Sequence, residues 1–396
     1  MHILTLSTYP IEPALHGGQH RLLNIVDQFR ANGHTTQSVG VLGSSLYSGS
    51  KGFVAYPPIR EFTRYISNSL LMEDWAIGRL MAEEDAYFSS LVSEIAEPPA
   101  VVHVEHPWLF QFARRYVKEC TDGSARIVYG AANLEHQLKF RIVDSYVNTK
   151  HAELCSKLVL DCEMQAVQGA DLIACVSEHD AAWLTSHARC PVILAPNGVR
   201  DRQSTAAGIS EANKITGHRK TALYCASAHP PNIVGFYDLF GRGVGCLSPA
   251  DRLVVAGSAG ASIKADSRFN RTPGLAKAFI DAGEVTEECL QGLLNTAHLV
   301  VLPITQGGGT NLKTAEALWA GHRIVATPVA MRGFESFVGS TGVSVCADPI
   351  EFRIAVRNAM TEPPIELSDS ERGARRVVLW SETLKGLTSR VAELRT

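Results

Sequence analysis

"LVVLPITQGGGTNLKTAEALWAGHRIVATP", residues 299–328, is the stretch that decides the fold. Its opening apolar run is too short for a buried helix and reads as a strand, and "RIVATP" at its end reads as another. Between them stand Gly307, Gly308 and Gly309, then a helical segment closed by Gly321 as a C-cap. Strand, glycine loop, helix, strand is the repeating unit of a parallel sheet with crossover helices. The glycines then lie between a strand's carboxyl end and a helix N-terminus. Backbone can approach a ligand closely there, and the first-turn N–H groups favour a phosphate or a sugar's oxygens. Glu316, about two turns into that helix, is set to accept hydrogen bonds from ribose hydroxyls if a nucleotide lies there. An ordinary βα turn has no use for three successive glycines, so the anion site is the preferred reading.

A competing motif is close. "GGGTNLKT" nearly matches the P-loop, but Leu312 stands where its second glycine is required. Lys313 and Thr314 also read as lying inside the helix and not at its mouth. The nucleoside-triphosphatase reading fails on this mismatch.

The same alternation runs outward in both directions. "HILTLS" begins a strand, a Pro- and Gly-containing loop follows, and a helix from about Gln19 carries Leu22, Ile25, Val26 and Phe29 on one face. The segment 61–95 reads as amphipathic helix. "AVVHVEH", "ARIVYGA", "DLIACVS" and "PVILAPNG" read as four buried strands. Residues 201–219, polar with Gly and Ser, break the rhythm and read as an interdomain linker. The pattern then restarts with "TALYCAS", "RLVVAGS", "AFIDAGEV", "LVVLPI" and "RIVATP". The expected architecture is α/β with two Rossmann-like doubly wound domains facing across a cleft, 1–200 and 220–380. A terminal helix over about 381–396 is expected to join the first domain.

Bulk properties agree with a soluble globular protein of that size: 396 residues, 45% hydrophobic and 19% charged. A formal charge of −3 gives no reason to expect nucleic acid as partner. No run reaches membrane-span length, and "MHILTLSTYP" lacks the form of a signal peptide. The nine cysteines contain no Cys-x-x-Cys pair, which argues against both a disulfide framework and a zinc site. No metal and no cofactor are expected, and the expected location is the cytoplasm. Peripheral contact at the inner face of the membrane stays open, because Arg114, Arg115 and Lys118 form a basic helical patch that is otherwise a solvated face.

In the order of its motifs the sequence resembles the GT-B glycosyltransferases, specifically glycosyltransferase family 4, the group 1 glycosyltransferases. "GGQHRLLNIVDQFRANGH" is similar to that family's first glycine loop and helix, and "ACVSEHDAAWL" with "APNGV" to the end of its N-domain. "CASAHPPNIVGFYDLF" resembles the start of its C-domain, "DAGEVTEECLQGLLNTAHLVVLPI" its nucleotide-base segment, and residues 299–328 its donor-binding segment. "WSETLKGL" resembles its terminal crossover helix.

The resemblance implies transfer of a sugar from a nucleotide-diphosphate donor, UDP- or GDP-linked, to a hydroxyl on a saccharide, glycolipid or small molecule. It implies retention and no metal. Gly308, Gly309, Thr310, Asn311 and Leu312 would then face the diphosphate or sugar, and Glu316 would hold the ribose. Val285 would meet the base, and Gly17 and Gly18 would close on the phosphates from the other domain. His106, after "VHVE", resembles the family histidine near the donor sugar; with Glu316 it is the expected catalytic residue. His103 alternates with Val102 and Val104 and reads as structural. Asn133 and Glu135 in "AANLEHQ" are expected on the acceptor side.

Two departures stand out. Gly308 occupies a position where the family often has a first glutamate. The Arg and Lys that usually neutralise the diphosphate are missing around "ASAHPPN", leaving Lys313 and Arg332 as the nearest substitutes. Two rivals follow: a nucleotide-sugar 2-epimerase-like isomerase, and a non-catalytic GT-B partner subunit.

Overall fold

The computed structural model describes residues 1–14, 16–45, 47, 49–306 and 310–394. The chain divides into two compact units, Met1–Pro196 with Thr383–Thr396, and Asn197–Glu382.

The first unit holds a seven-stranded sheet, all of whose pairings are parallel. In chain order its strands are β1 (His2–Ser7), β2 (Thr35–Val41), β3 (Phe53–Val54), β4 (Val101–Glu105), β5 (Arg126–Ala131), β6 (Leu172–Cys175) and β7 (Val192–Leu194). They lie in the order β3-β2-β1-β4-β5-β6-β7. The order reverses between β1 and β4, the point where such sheets bind ligands beyond their strands' carboxyl ends. The first helix, Gly17–Ala31, buries Leu22, Ile25, Val26 and Phe29 completely. The Lys385–Glu393 helix contacts β7 and buries Leu387 and Val391.

The second unit repeats the plan with six parallel strands: β8 (Thr221–Cys225), β9 (Arg252–Ala256), β10 (Phe279–Gly283), β11 (Leu299–Leu302), β12 (Arg323–Ala326) and β13 (Val343–Val345). Their order is β10-β9-β8-β11-β12-β13. Both faces are covered, as the continuous apolar runs require. Along β11, Val300 and Leu302 belong to the core on one face while Leu299 and Val301 belong to the core on the other. β12 alternates in the same way, with Ile324 and Ala326 against Val325. That period of two is the strand geometry read directly in packing.

The expected linker is corrected. Ala206–Thr216 is a helix of the second unit, capped by Thr205, whose side chain accepts from the Gly208 N–H, and closed by Gly217 at φ 62°. It packs on the Glu287–Thr296 helix. A Cβ at Gly208 would stand 2.2 Å from the Glu288 carbonyl oxygen, and one at Gly292 would stand 2.1 Å from that of Gly208. Of the two glycines that suggested a loose tether, Gly208 is where two backbones touch and Gly217 is the helix stop.

Two other expectations change. The long helical segment 61–95 is broken into helices Ile59–Phe62, Glu73–Glu83 and Asp85–Val92. Of the basic patch, Arg115 is engaged by the fold, paired with Asp85 and Glu119 and lying 4.0 Å over the Phe88 ring. Among the described residues no helix is long and apolar enough to cross a membrane.

Candidate functional site

In the first unit the reversal point gathers two loops. After β1 the chain runs to His16, the N-cap of the first helix. Its ring accepts from the Gln19 N–H, and its own N–H donates to Gln19 Oε1 at 3.2 Å. Gly17 and Gly18 are therefore the first residues of that helix, which starts two residues before the expected Gln19. A Cβ at Gly18 would come within 3.0 Å of the Tyr9 hydroxyl, so glycine is what lets Tyr9 fit there. Tyr9 is 9% exposed and its hydroxyl has no hydrogen-bond partner among the described residues. A buried unpaired hydroxyl beside helix-terminal N–H groups is a place for a polar ligand.

After β4 comes His106, at φ 62°, left-handed backbone that a non-glycine residue adopts at a cost. Its Nδ1 meets Glu135 Oε1 at 2.9 Å, and its ring packs edge-on against Tyr9. Asn133 Nδ2 donates to the same Glu135 oxygen at 3.3 Å. The two residues expected on the acceptor side thus converge on His106. Burial opposes the charged imidazole, but the Glu135 carboxylate, helped by Glu105 and Asp74, raises His106 above its ordinary range. Glu135 is lowered in turn, His106 outweighing its burial.

Beneath this pair lies a buried network that the sequence did not reveal. Arg21 Nε donates to Glu105 Oε1 at 2.8 Å, Arg21 Nη1 donates to the Ala195 carbonyl at 2.8 Å, and His103 Nε2 meets Glu105 Oε2 at 2.9 Å. His103 is fully buried, in keeping with a structural part. The network ties the first helix, the end of β4 and the end of β7 together directly under His106. Burial alone would push Glu105 up; Arg21, then His103, outweigh it and hold it at about 2. Because its folded value lies below the unfolded one, its stabilisation is present above about pH 4.5 and is lost as pH falls toward 2. Arg21→Met strands the carboxylate and should destabilise by about 3–5 kcal/mol. Urea unfolding at pH 7 measures it, and a loss below about 1 kcal/mol would mean the pair is not dry.

In the second unit the reversal point lies between β8 and β11. Gly307, Gly308 and Gly309 lie outside the described residues. The helix that follows is Leu312–Ala320, with Asn311 at its N-cap. This corrects two positions: Glu316 is one turn into the helix and not two, and Lys313 and Thr314 are in its first turn. Thr314 is spent internally, its hydroxyl donating to the Ala330 carbonyl at 2.6 Å, which sets the segment bearing Arg332 against this helix. Thr310 is buried and receives the Asn197 side chain on its carbonyl at 3.2 Å.

Lys313 is the informative residue. Its Nζ donates to Asn232 Oδ1 at 3.1 Å, in the first turn of the Pro230–Phe240 helix that "AHPPN" opens. The ammonium thus reaches the segment where the usual cations are missing. Burial lowers its pKa, while Glu316 and Cys225 work the other way. Burial, and then the Glu287 carboxylate, push Glu316 up to about 7, against Lys313. Glu287 follows Val285 across the end of β10, so the expected base and ribose segments meet. Among the described residues no group of three His, Cys, Asp or Glu is arranged to hold a metal ion.

Two parallel doubly wound sheets of this order make the GT-B architecture of glycosyltransferases. Residues 219–362, within the second unit, match the model of the family described as glycosyl transferases group 1. No curated protein matches the sequence. Among solved structures the chain is similar to a sucrose-phosphate synthase from Thermosynechococcus elongatus, with a TM-score of 0.71 and 13% identity, over 99% of this chain and 98% of that one. It is also similar to WaaG, a glycosyltransferase involved in lipopolysaccharide biosynthesis, at 0.62 and 15% over 100% and 99%. Anabaena HepE in complex with UDP-glucose matches at 0.58 and 13% over 100% and 97%. At these identities the likeness is one of fold.

Proposed function

We propose that this chain transfers a sugar from a nucleotide-diphosphate donor to a hydroxyl acceptor, with retention at the anomeric carbon and without a bound metal. The observation that carries the reading is the Lys313 ammonium at Asn232, which restores a cation to a segment that lacks the expected ones. In the transfer, the bond from the anomeric carbon to the β-phosphate oxygen breaks and the acceptor oxygen bonds to that carbon. The acceptor's proton ends on the departing diphosphate. Negative charge grows on the leaving group, so what the protein must supply is fixed positive charge and oriented N–H donors. Lys313 and the Thr310–Leu312 segment take that part, together with Gly308 and Gly309 just before them in sequence.

Glu316 accepts from the ribose hydroxyls, and Val285 borders the base. Gly17 and Gly18 offer helix-terminal N–H groups, with the Tyr9 hydroxyl beside them. His106, its Nδ1 held by Glu135, presents Nε2 to the sugar. UDP-glucose in HepE, and UDP or GDP sugars by resemblance, set the first donors to try.

Calorimetric titration with UDP, GDP and ADP, each with EDTA and then with magnesium, tests the reading. One diphosphate should bind at micromolar strength with EDTA making no difference. Binding that requires magnesium would remove the metal-free part, and no binding by any of them would favour a non-catalytic subunit.

A further inference from the structure

Away from its own reversal point, the second unit has a cavity of about 370 Å³ lined by Arg242, Arg353 and Arg357, with Cys246 and two isoleucines, Ile350 and Ile354. It lies where the Pro230–Phe240 helix ends and the Pro349–Thr361 helix passes. We infer that this cavity is a second anion site, built for a phosphate monoester.

Charge makes the first case. No carboxylate lines the cavity. Several other arginines of the fold stand against acids, among them Arg64 on Glu61, Arg79 on Glu83, Arg268 on Asp266 and Arg390 on Glu393. Among the described residues none of the three cavity arginines has such a partner. Arg242 and Arg357 are exposed, so water screens part of their repulsion, but three cations gathered around one small space still favour an anion among them.

Geometry makes the second. Arg353 Nη1 donates to the Leu239 carbonyl at 2.7 Å, and Arg357 Nη2 donates to the Gly245 carbonyl at 2.9 Å. These bonds cap a helix end and brace the turn after it, which is the ordinary structural explanation for the two residues. They use one N–H each of the five a guanidinium carries, and they fix the remaining donors in place. They leave Arg242 unexplained, since it has no hydrogen bond or ion pair among the described residues. Guanidinium forks match phosphate oxygens in pairs.

Size and rim define the ligand further. The cavity is near the lower end of the roughly 300–1,000 Å³ of small-molecule pockets, larger than a bare ion needs. Ile350 and Ile354, each 52% exposed, give an apolar lip for the organic part of an ester. The same chemistry is offered by a soluble phosphate ester and by a phosphatidate headgroup. The Pro230–Phe240 helix separates this cavity from Lys313 and Asn232 by its own length, about 16 Å at 1.5 Å per residue. Both sites can therefore be filled together, and this inference stands apart from the transfer reaction.

The test is titration of the full chain with glycerol 3-phosphate, with and without excess UDP, beside sedimentation with phosphatidylcholine vesicles that do or do not carry phosphatidic acid. Glycerol 3-phosphate should bind one per chain, whether or not UDP is present. Arg242→Ser, at an exposed residue with no hydrogen bond or ion pair among the described residues, should weaken it at least tenfold, and Arg242→Glu should abolish it. Both variants should leave the melting temperature and UDP affinity unchanged. Binding only to phosphatidic acid vesicles, with the same dependence on Arg242, assigns the ester to the lipid. Binding of neither, binding indifferent to Arg242→Glu, or stoichiometric displacement by UDP overturns the assignment. These readouts need no sugar transfer, so their failure and that of the transferase reading are separable.

Discussion

Glu316→Gln should weaken a UDP-sugar at least tenfold at pH 8 and at the same pH raise the melting temperature. Both effects come from one carboxyl, pushed from 4.5 to about 7 by burial and by Glu287. Between those values the unfolded chain releases a proton that the folded chain retains. Stability therefore falls as pH rises through this window, and above about 7 the whole penalty is present. A neutral amide escapes it, a gain of at most roughly 3 kcal/mol. At pH 4 the carboxyl is protonated in both states and the gain vanishes.

Binding runs the other way. Ribose hydroxyls donate to an ionised carboxylate, and bonds to a charged acceptor are worth about 1.5–3 kcal/mol each. Wild-type affinity should accordingly rise with pH toward about 7 and then level, while Glu316→Gln stays flat. Thermal melts and titrations at pH 5, 6, 7 and 8 read both. A lower melting temperature at pH 8 would mean that the charge is comfortable, and unchanged affinity in Glu316→Ala would remove the ribose role.

His106→Gly should cost about 10²–10³ in kcat, leave nucleotide affinity within about twofold, and be partly rescued by added imidazole. Glycine is the revealing substitution because His106 sits at φ 62°, a conformation that glycine takes without strain. Backbone relief then offsets part of what is lost when Glu135 is stranded, so the fold survives and the readout is chemical. Glu135→Gln separates positioning from chemistry. His106 is raised mainly by Glu135 against its burial, so activity carried by the imidazolium persists below that raised value and fades as pH climbs through it. In Glu135→Gln the fading should move to lower pH. An alkaline limb that does not move would show that Glu135 serves only the fold, and wild-type turnover in His106→Gly would remove the histidine from the site.

The strands were legible because each is buried on both faces and so is written as a plain apolar run, such as "LVVL" in β11. The Ala206–Thr216 helix was not, since its close contact with the Glu287–Thr296 helix runs through Gly208 and Gly292, residues that advertise looseness. Its Thr205 cap and Gly217 stop were there to be read. Glu316 and Lys313 announce themselves beside three glycines, but the bond from Lys313 to Asn232 spans 81 positions and no local pattern encodes it. The pair His106–Glu135 was half visible. Both residues follow neighbouring strands, β4 and β5, and parallel pairing brings such loops together at one end of the sheet. Arg21, hidden in an otherwise ordinary amphipathic helix, gave no signal that it reaches Glu105.

The last helix has a consequence for how the chain is made. β7 is complete by Leu194, yet the Lys385–Glu393 helix that contacts it is translated almost two hundred residues later. The whole second unit, Asn197–Glu382, emerges from the ribosome in between. During synthesis the downstream unit can therefore finish folding while the upstream one still waits with an uncovered apolar edge. That interval is when a chaperone has something to hold, and a nascent chain stalled before residue 385 should be its best client.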